Sequence, residues 1–243
     1  MDIVDGIPAN TTRGTVREVA RLVSIGNPRN LLDAPAGRGA LASLATRSGI
    51  KVTALELDSK SFEVEGVDFV AGNLNERLPI ADESFDCVAC VDGIEHLENP
   101  FHVIREFHRI LKPGGTVVIS TPNLSSWRSR ARFLVTGFHN KGKLPLTEEA
   151  PTPLHHINML GYPELRYILI RYGFELRHVS ANRVKVISLL YALLYPFVAL
   201  GTLFAFRKEK DRRQREINRE IYKDLLSWKI AMGETLIISA TKR

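Results

Sequence analysis

The chain has 243 residues, of which 44% are hydrophobic and 25% are charged, and its formal net charge is +6. This composition is typical of a globular protein with one substantial core and excludes collagen-like, coiled-coil and disordered chains. Two cysteines and the lack of a basic, then apolar, beginning argue against a secreted, disulfide-built protein. They favour a reducing, cytoplasmic compartment.

The positive charge is concentrated in two segments. Residues 124–147 include five basic residues and no acid, and residues 207–223 include eight basic and four acidic residues. Such localised charge suits nucleic acid, an anionic ligand or an anionic lipid surface, or it forms a solvated helix face.

Short apolar runs alternate with helix-length amphipathic stretches in the first half of the chain, which predicts an α/β fold with a parallel sheet and crossover helices. An amphipathic helix over 12–25 is expected to pack on the sheet edge. Helices are also predicted from near Arg38, from near Ser59 and over 100–111, the last ending at Lys112-Pro113-Gly114-Gly115. The predicted strands are 30–34, 51–56, 67–70, 85–91 and 116–121.

The alternation breaks after Pro122. A basic, aromatic segment and a Pro-rich loop come next, and a helix is predicted over 162–172. A strand is predicted over 174–180, and a last strand is predicted over 234–242, where β-branched residues are enriched.

A nucleotide site is indicated where the first predicted strand ends. Residues 31–39 read LLDAPAGRG, which predicts a strand, a tight turn of small residues and a helix start. Small residues let a ligand lie against backbone N–H groups, and Glu56, at the end of the next strand, can accept the hydroxyls of a ribose. Residues 37–42 also satisfy the G-x-G-x-x-A dinucleotide pattern, so a nicotinamide cofactor competes with S-adenosylmethionine. The latter is favoured by Asp33, placed to reach an amino-acid group, and by Asn73, placed at an adenine edge.

Several motifs together give the chain its resemblance to a known family. LLDAPAGRG, Glu56, LPIADESFDCV, EHLENP, REFHRILKPGG and STPN lie within residues 30–123. With them, the chain resembles the class I S-adenosylmethionine-dependent methyltransferases, in particular the type 11/23 group related to quinone-biosynthesis enzymes. Pro35 and Asn73 depart from the common Gly and Asp of that pattern.

The resemblance implies a doubly wound, Rossmann-like sheet of seven strands, the last antiparallel, with helices on both faces. It implies one methyltransferase domain over 1–243, with a substrate-side insertion at 124–160. S-adenosylmethionine would be the cofactor, bound by residues of the strand ends: Asp33, Ala34, Gly37, Gly39, Glu56, Leu57, Asn73, Leu74 and Asp92.

Histidines are the candidates for acid–base chemistry, which methyl transfer requires only when the acceptor loses a proton. His156 and His96 are predicted to be catalytic, His155 is the alternative to His156, and each could instead serve only as a loop or capping residue. Asp92, Glu95 and His96 also resemble an acid-x-x-Glu-His sequence that binds a divalent metal in some relatives, whereas many relatives have the EH pair without metal. Cys87 and Cys90, three apart in a strand, are expected to face opposite sides.

An uncharged segment of 21 residues, Val186 to Phe206, lies within the predicted insertion 184–208. Its length suits a bilayer span, yet neighbouring strands at both of its ends favour a monotopic or re-entrant hairpin that bends near Pro196. A basic helix over 208–226 would lie against anionic headgroups at the cytoplasmic membrane face, joined by residues 127–138. The alternative is a hydrophobic lid or a dimer interface.

These observations together predict a membrane-associated methyltransferase acting on an oxygen of a lipid-linked or amphipathic small molecule. The alternatives are an RNA methyltransferase that uses the basic segments, although no stacking platform is evident and nucleic acid is therefore a less favoured partner, and a non-catalytic cofactor-binding membrane adaptor.

Overall fold

The computed structural model describes residues 2–141, 146, 148–149, 152 and 154–243. A short hairpin of β1 (Asp2–Val4) and β2 (Ile7–Ala9) precedes one seven-stranded sheet. The strands of that sheet are β3 (Asn30–Asp33), β4 (Lys51–Glu56), β5 (Asp68–Ala71), β6 (Phe85–Val91), β7 (Leu111–Pro122), β8 (Phe174–Ala181) and β9 (Thr235–Lys242). The helices are α1 (Thr15–Ile25), α2 (Ala40–Arg47), α3 (Pro100–Ile110), α4 (Trp127–Thr136), α5 (Tyr162–Arg171), α6 (Tyr195–Arg207), α7 (Arg212–Leu226) and α8 (Trp228–Met232).

The strand order is β5-β4-β3-β6-β7-β9-β8, with β9 antiparallel to both of its neighbours and β3 to β7 parallel. This arrangement confirms the predicted seven-stranded sheet with an antiparallel last strand. Pro122 pairs with Thr235, and Ala181 pairs with Leu236. The end of β8 and the start of β9 therefore lie at the same edge as the carboxyl ends of the parallel strands.

Apolar side chains cover both faces of the sheet because its central strands are buried runs rather than alternating ones. On one face, α1 and α2 pack against residues such as Leu31, Val118 and Ile237. On the other face, α3 and α5 pack against the larger cluster that contains Leu32, Val88 and Ile119. Cys87 and Cys90 belong to opposite faces, as predicted, and both are buried free thiols.

Three local predictions were wrong. Helix α1 packs over the central strands β6 and β7 instead of the sheet edge, because Val16, Val19, Leu22 and Val23 form its buried face. The helix expected from Ser59 is only a 3-10 turn, Ser59–Ser61, since few residues separate it from β5 and Phe62 packs onto that strand's Phe69. Strand β7 begins at Leu111, so the predicted stop lies within the strand, with Gly114 at φ +76°.

The uncharged segment is helical throughout but does not form a hairpin. A 3-10 helix, Val186–Leu194, runs directly into α6, and the backbone stays right-handed helical at Leu194 and Tyr195. Pro196 lies in the first turn of α6, where its missing N–H is tolerated, so it does not reverse the chain. The return to the sheet is made instead by α7 and α8, after residues 208–211.

Helix α4 is the part of the predicted insertion 124–160 that follows β7. Ser126 caps it by accepting a hydrogen bond from the Ser129 N–H, and Gly137 ends it with a left-handed backbone. Most of the Pro-rich loop and Lys143 lie outside the described residues. Trp127, at the start of α4, packs against Tyr195 and α8, which places α4 beside the uncharged segment.

Candidate active site

A cavity of about 460 Å³ opens at the carboxyl edge of the parallel strands. Open α/β sheets bind ligands at this edge because the loops after the strands diverge there. Most of the predicted site residues line it, namely Asp33, Gly37, Glu56, Leu57, Asn73, Leu74, Asp92, His96 and His156. Ala34 and Gly39 do not: Ala34 is buried and its N–H donates to Ala89 O, while Gly39 caps the start of α2.

Asp33 is a buried acid at the end of β3. Its side chain is 1% exposed, and its Oδ2 atom has no hydrogen-bond partner among the described residues. Burial raises the pKa of the Asp33 carboxyl to about 8, an effect that the backbone N–H of Ala42 only partly opposes. A carboxyl held this way is suited to a cationic ligand that supplies the missing partner.

The turn after Asp33 brings bare backbone to the cavity. Gly37 and Gly39 have φ values of +53° and +93°, which other residues rarely adopt. A Cβ on Gly39 would lie 2.5 Å from Val64 Cγ2, and one on Gly93 would lie 2.4 Å from Pro35 Cδ. Gly93 therefore makes the room that Pro35 needs in place of the common Gly.

Glu56 is positioned by the same turn. Its Oε2 accepts a hydrogen bond from the Gly37 N–H and its Oε1 one from the Leu57 N–H, both at 2.8 Å. Each carboxylate oxygen retains a lone pair, so the pair can still accept the hydroxyls of a ribose.

Asn73 begins the loop after β5. Its Oδ1 accepts the Asn75 N–H at 3.0 Å, and its Nδ2 donates to Glu76 Oε1 at 2.9 Å. These bonds fix the Asn73 side chain in the lining of the cavity, which also includes the buried Leu74 and Leu57, which is 58% exposed. The two leucines and the amide can together contact a flat heterocycle.

Asp92 follows β6 and belongs to a hydroxyl network. Ser120 Oγ donates to its Oδ1 at 2.6 Å, and Thr11 Oγ1 donates to its Oδ2. Burial raises the pKa of Asp92 although both hydroxyls favour its ionised form. The residue has a φ of +45°, so its backbone turns sharply into the 3-10 turn Ile94–His96.

His96 and His156 meet at the far end of the cavity. Their rings lie edge to face with centroids 4.7 Å apart, and His96 Nδ1 lies 3.1 Å from the carbonyl of His155. A carbonyl only accepts, so Nδ1 carries the proton and Nε2 is the free base. Burial lowers the pKa of His96 and keeps the ring neutral. His155 does not line the cavity.

Glu95 lies beside the two histidines, fully buried, with Oε2 accepting a hydrogen bond from Thr121 Oγ1 at 3.1 Å. Ligand atoms of Glu95, His96 and His156 lie within 4.8 Å of one another. The predicted trio was Asp92, Glu95 and His96; within the described part of the chain, His156 takes the place of Asp92, whose carboxylate is held by Thr11 and Ser120.

Comparison with known proteins connects this geometry to one family. Residues 32–119 match the family model described as "Methyltransferase domain". The chain therefore contains a methyltransferase domain. A ubiquinone biosynthesis O-methyltransferase of Klebsiella pneumoniae is 31% identical over 104 residues, 39% of this chain and 43% of that protein. A demethylmenaquinone methyltransferase of Chlorobaculum parvum is 36% identical over 98 residues, 38% of this chain and 40% of that protein.

The fold agreement extends further than the sequence agreement. A SAM-dependent methyltransferase from Archaeoglobus fulgidus superimposes with a TM-score of 0.58 over 93% of this chain and 92% of that one, at 18% identity. The chain matches less than half the length of the curated relatives. The uncharged segment and α7 lie outside residues 32–119, the part that matches the family model.

The cavity of the methyltransferase domain fits S-adenosylmethionine. The unpartnered Asp33 oxygen suits the ammonium group, Glu56 suits the ribose, and the loop of Asn73 suits the adenine. The dinucleotide pattern in residues 37–42 is therefore a by-product of the same small-residue turn.

The sequence analysis did not predict the cavity-lining residues that lie outside the motifs in sequence. Ala9, Asn10 and Thr11 line it from the N-terminal segment, and Thr11 bonds Asp92 across 81 residues. Asn158 connects the segment that carries His156 to the turn that carries His96, because the Asn158 backbone N–H donates to the Glu95 carbonyl oxygen at 2.9 Å. No local sequence pattern predicts either contact, since each contact forms between loops that are far apart in sequence.

Proposed function

We propose that this protein is a membrane-associated methyltransferase that transfers the methyl group of S-adenosylmethionine to an oxygen of an amphipathic, lipid-linked acceptor. One observation carries the proposal. An exposed apolar surface lies at the same edge of the sheet as the cofactor cavity, because the uncharged segment connects the end of β8 to the helices that precede β9. An acceptor resting on that surface has its reactive end near the cavity.

The apolar surface is formed by the uncharged segment and by α4, whose first residue packs on that segment. Its most exposed members are Leu134 (87%), Val186 (84%), Val135 (83%) and Leu193 (79%). The opposite side of the segment packs on the protein through Tyr191, Tyr195 and Val198, around Trp127. Soluble monomers rarely expose so continuous an apolar area unless it meets a membrane or a partner.

The segment is one helical run, Val186–Arg207, long and apolar enough to cross a bilayer, with 6% of its most apolar window buried. Both of its ends return to one sheet edge, and one side packs on α4 and α8. These contacts favour a segment that lies in the interface over one that crosses the bilayer.

Helix α7 supplies charge beside this surface. Two of its acids are paired with α5: Glu220, whose side chain is 64% exposed, accepts from Arg166 at 2.6 Å, and Asp224 accepts from the Tyr162 hydroxyl. Its exposed residues are mostly basic, namely Arg212, Arg213, Arg215, Arg219 and Lys223. A basic face next to an apolar one suits an anionic membrane surface, which we place at the cytoplasmic face.

Methyl transfer in this cavity needs position first and a base second. The acceptor oxygen attacks the methyl carbon in line, the carbon–sulfur bond breaks, and the sulfonium loses its charge. Neutral His96, with Nε2 as the free base, takes the hydroxyl proton, and His156 lies beside it to orient the acceptor.

In an alternative arrangement, Glu95, His96 and His156 would hold a divalent ion and His96 Nε2 would be a ligand instead of the base, since the Oε1 atom of the fully buried Glu95 has no hydrogen-bond partner in the described chain. When bound, such an ion would lower the pKa of a hydroxyl coordinated to it. Oxygen as the acceptor atom is supported by the Klebsiella relative, which is named for ubiquinone biosynthesis and O-methylation.

The test of the proposal is to incubate the purified protein with methyl-labelled S-adenosylmethionine and a total extract of its own cells, then to separate organic from aqueous products. Label in the organic phase is expected. Asp33→Asn should abolish it, while Asp86→Asn, at the opposite edge of the sheet, should not. Label in aqueous RNA would overturn the lipid acceptor, and no label despite measurable cofactor binding would favour a membrane adaptor.

Membrane association is tested by co-sedimentation with vesicles of phosphatidylcholine and phosphatidylglycerol in equal parts. Leu193→Glu is expected to abolish binding, because it places a charge at the centre of the apolar surface. Ile25→Glu is the matched control, since Ile25 is 54% exposed on α1, outside that surface. A soluble dimer that Leu193→Glu dissociates, with no vesicle binding by the parent, would assign the surface to an interface between copies.

A further inference from the structure

Three cations converge on one carboxylate where the apolar surface begins. Glu234 Oε1 lies 2.6 Å from Lys185 Nζ and 3.7 Å from Lys141 Nζ, and Oε2 accepts the Arg183 Nε–H at 2.8 Å. Within the described ranges, these three cations make no other salt bridge. We call the four residues the Glu234 cluster; its charges sum to two positive.

The backbone holds the Glu234 cluster in place. The Glu234 N–H donates to Arg183 O at 3.1 Å, and Val184 forms an isolated β-bridge with Gly233. A Cβ on Gly233 would lie 2.3 Å from Ala181 Cβ, so a glycine is required for this close approach. The three cationic side chains are 35% to 40% exposed, whereas Glu234 is 11% exposed. The carboxylate therefore lies beneath the cations, which face solvent.

The Glu234 cluster lies between the cavity and the apolar surface. Lys185 directly precedes Val186, the first residue of the uncharged segment. On the other side, Lys141 Nζ donates to Thr12 Oγ1, and the adjacent Thr11 lines the cavity and bonds Asp92. A molecule that reaches from the apolar surface to the cavity passes this point.

Two uncompensated cations side by side repel each other, and an anion that accepts from both removes the repulsion. At a membrane surface, the anion at this depth is the phosphate of a lipid, since headgroups begin where the apolar surface ends. Two lysines and one arginine that meet at one carboxylate can donate to several phosphate oxygens at once.

We propose that the Glu234 cluster is a subsite for the phosphate group of a lipid whose chain rests on the apolar surface. The inference rests on the proposed function and deepens it. The lipidic molecule that the protein binds would carry a phosphate group at some distance from its methylated end. Lys141, Arg183 and Lys185 bind the phosphate, and Glu234 holds them together when it is absent.

Calorimetry with short-chain, monomeric lipids tests this subsite without requiring catalysis. Three probes separate the contributions: dioctanoyl phosphatidic acid has phosphate and chains, inorganic phosphate has no chain, and dioctanoylglycerol has no phosphate. Tight binding is expected only for the first. Equal affinity for inorganic phosphate would overturn the assignment to a lipid, and equal affinity for dioctanoylglycerol would overturn the phosphate subsite.

Two substitutions that change the net charge of the Glu234 cluster in opposite directions test whether this cluster binds the phosphate. Lys185→Gln should weaken phosphatidic acid binding about tenfold by removing one charge-assisted hydrogen bond. Glu234→Gln should strengthen it severalfold, a gain that misfolding cannot produce. Lys51→Gln, which removes the same charge at the start of β4, at the opposite edge of the sheet, should change it less than twofold. Weakening by Lys51→Gln as large as that by Lys185→Gln, or no gain from Glu234→Gln, would refute the subsite. Cofactor binding, measured on the same samples, reports separately on the proposed function.

Discussion

Asp33 shows at the scale of one residue how a binding site opposes stability. Its pKa of about 8 in the folded chain exceeds the usual 3.8, so folding favours its protonated form. The folded protein therefore loses stability as pH rises from about 4 to about 8, by at most about 1.4 kcal/mol per pH unit. A bound ammonium group would recover that free energy.

Asp33→Asn is accordingly expected to raise the free energy of unfolding by about 2 kcal/mol or more at pH 8 and to change it little near pH 4. Chemical denaturation at several pH values measures this difference. Asp86→Asn should behave oppositely: the Lys112 ammonium lowers the pKa of Asp86, so its removal should destabilise the protein at pH 8. Equal stability of parent and Asp33→Asn across the range would contradict the assigned ionisation.

For parent protein, the affinity for S-adenosylmethionine should rise up to about tenfold per pH unit below pH 8, since the bound form needs the Asp33 carboxylate. Calorimetry in buffers of different ionisation enthalpy should also detect one proton released on binding. The Asp33→Asn variant should bind weakly at every pH, and a matching pH dependence in that variant would locate the titrating group elsewhere.

Gly39 shows how a steric overlap and an unfavourable backbone conformation both lower the stability of an alanine variant. Gly39→Ala should destabilise the protein by about 2–4 kcal/mol, because alanine resists φ +93° and its Cβ would overlap Val64 and Phe62. Gly66→Ala is the control: Gly66 has a φ of +73° with nothing within 4 Å, so only the conformational part, about 1 kcal/mol, remains. Equal losses of unfolding free energy in the two variants would rule out the contact.

At the scale of elements, α7 is joined to the methyltransferase core by polar groups. Tyr162, fully buried at the start of α5, donates to Asp224 of α7, and Arg166 of α5 pairs with Glu220. Burial and the neighbouring Asp224 raise the pKa of Tyr162, so the phenol stays a donor at all physiological pH values. These bonds connect α7 to α5, while most of the exposed residues of α7 are basic.

Tyr162→Phe should lower the free energy of unfolding by about 1–2 kcal/mol, because Asp224 loses its donor in a partly buried position. Tyr167→Phe, on the same helix with Tyr167 60% exposed, should change it by less than about 0.5 kcal/mol. Denaturant titration of both variants decides the point. If Tyr162→Phe leaves the free energy of unfolding unchanged, water replaces the phenol hydroxyl as the donor to Asp224 at no cost in stability.

At the scale of the whole molecule, the basic helix α7 packs beside α6 of the uncharged segment, so the proposed membrane binding should have two separable parts. Raising NaCl from about 0.05 M to about 0.5 M should weaken binding to anionic vesicles more than tenfold through screening of α7. Arg212→Gln with Arg213→Gln should flatten this dependence, whereas Leu193→Glu should abolish binding at both salt concentrations. Binding that is unaffected by salt would remove α7 from the interface.

The core fold and cofactor site could be predicted because their signals are local. Apolar runs such as 85–91 bury on both faces, and the small residues of 33–39 are needed wherever backbone meets a ligand, so each motif carries its own physical reason. The uncharged segment could also be recognised from the sequence, since a run of 21 residues without charge is a property of composition alone.

Tertiary structure alone decided what depends on distant chain segments meeting. Composition could not show that Pro196 leaves the helix unbroken, because a proline in the first turn and one at a bend look the same in sequence. Nor could it show that His156 joins Glu95 and His96, or that Lys141, Arg183 and Lys185 share Glu234. Short-range patterns were enough to predict the fold and the cofactor, whereas the charges that meet at the mouth of the site depend on packing between segments far apart in sequence.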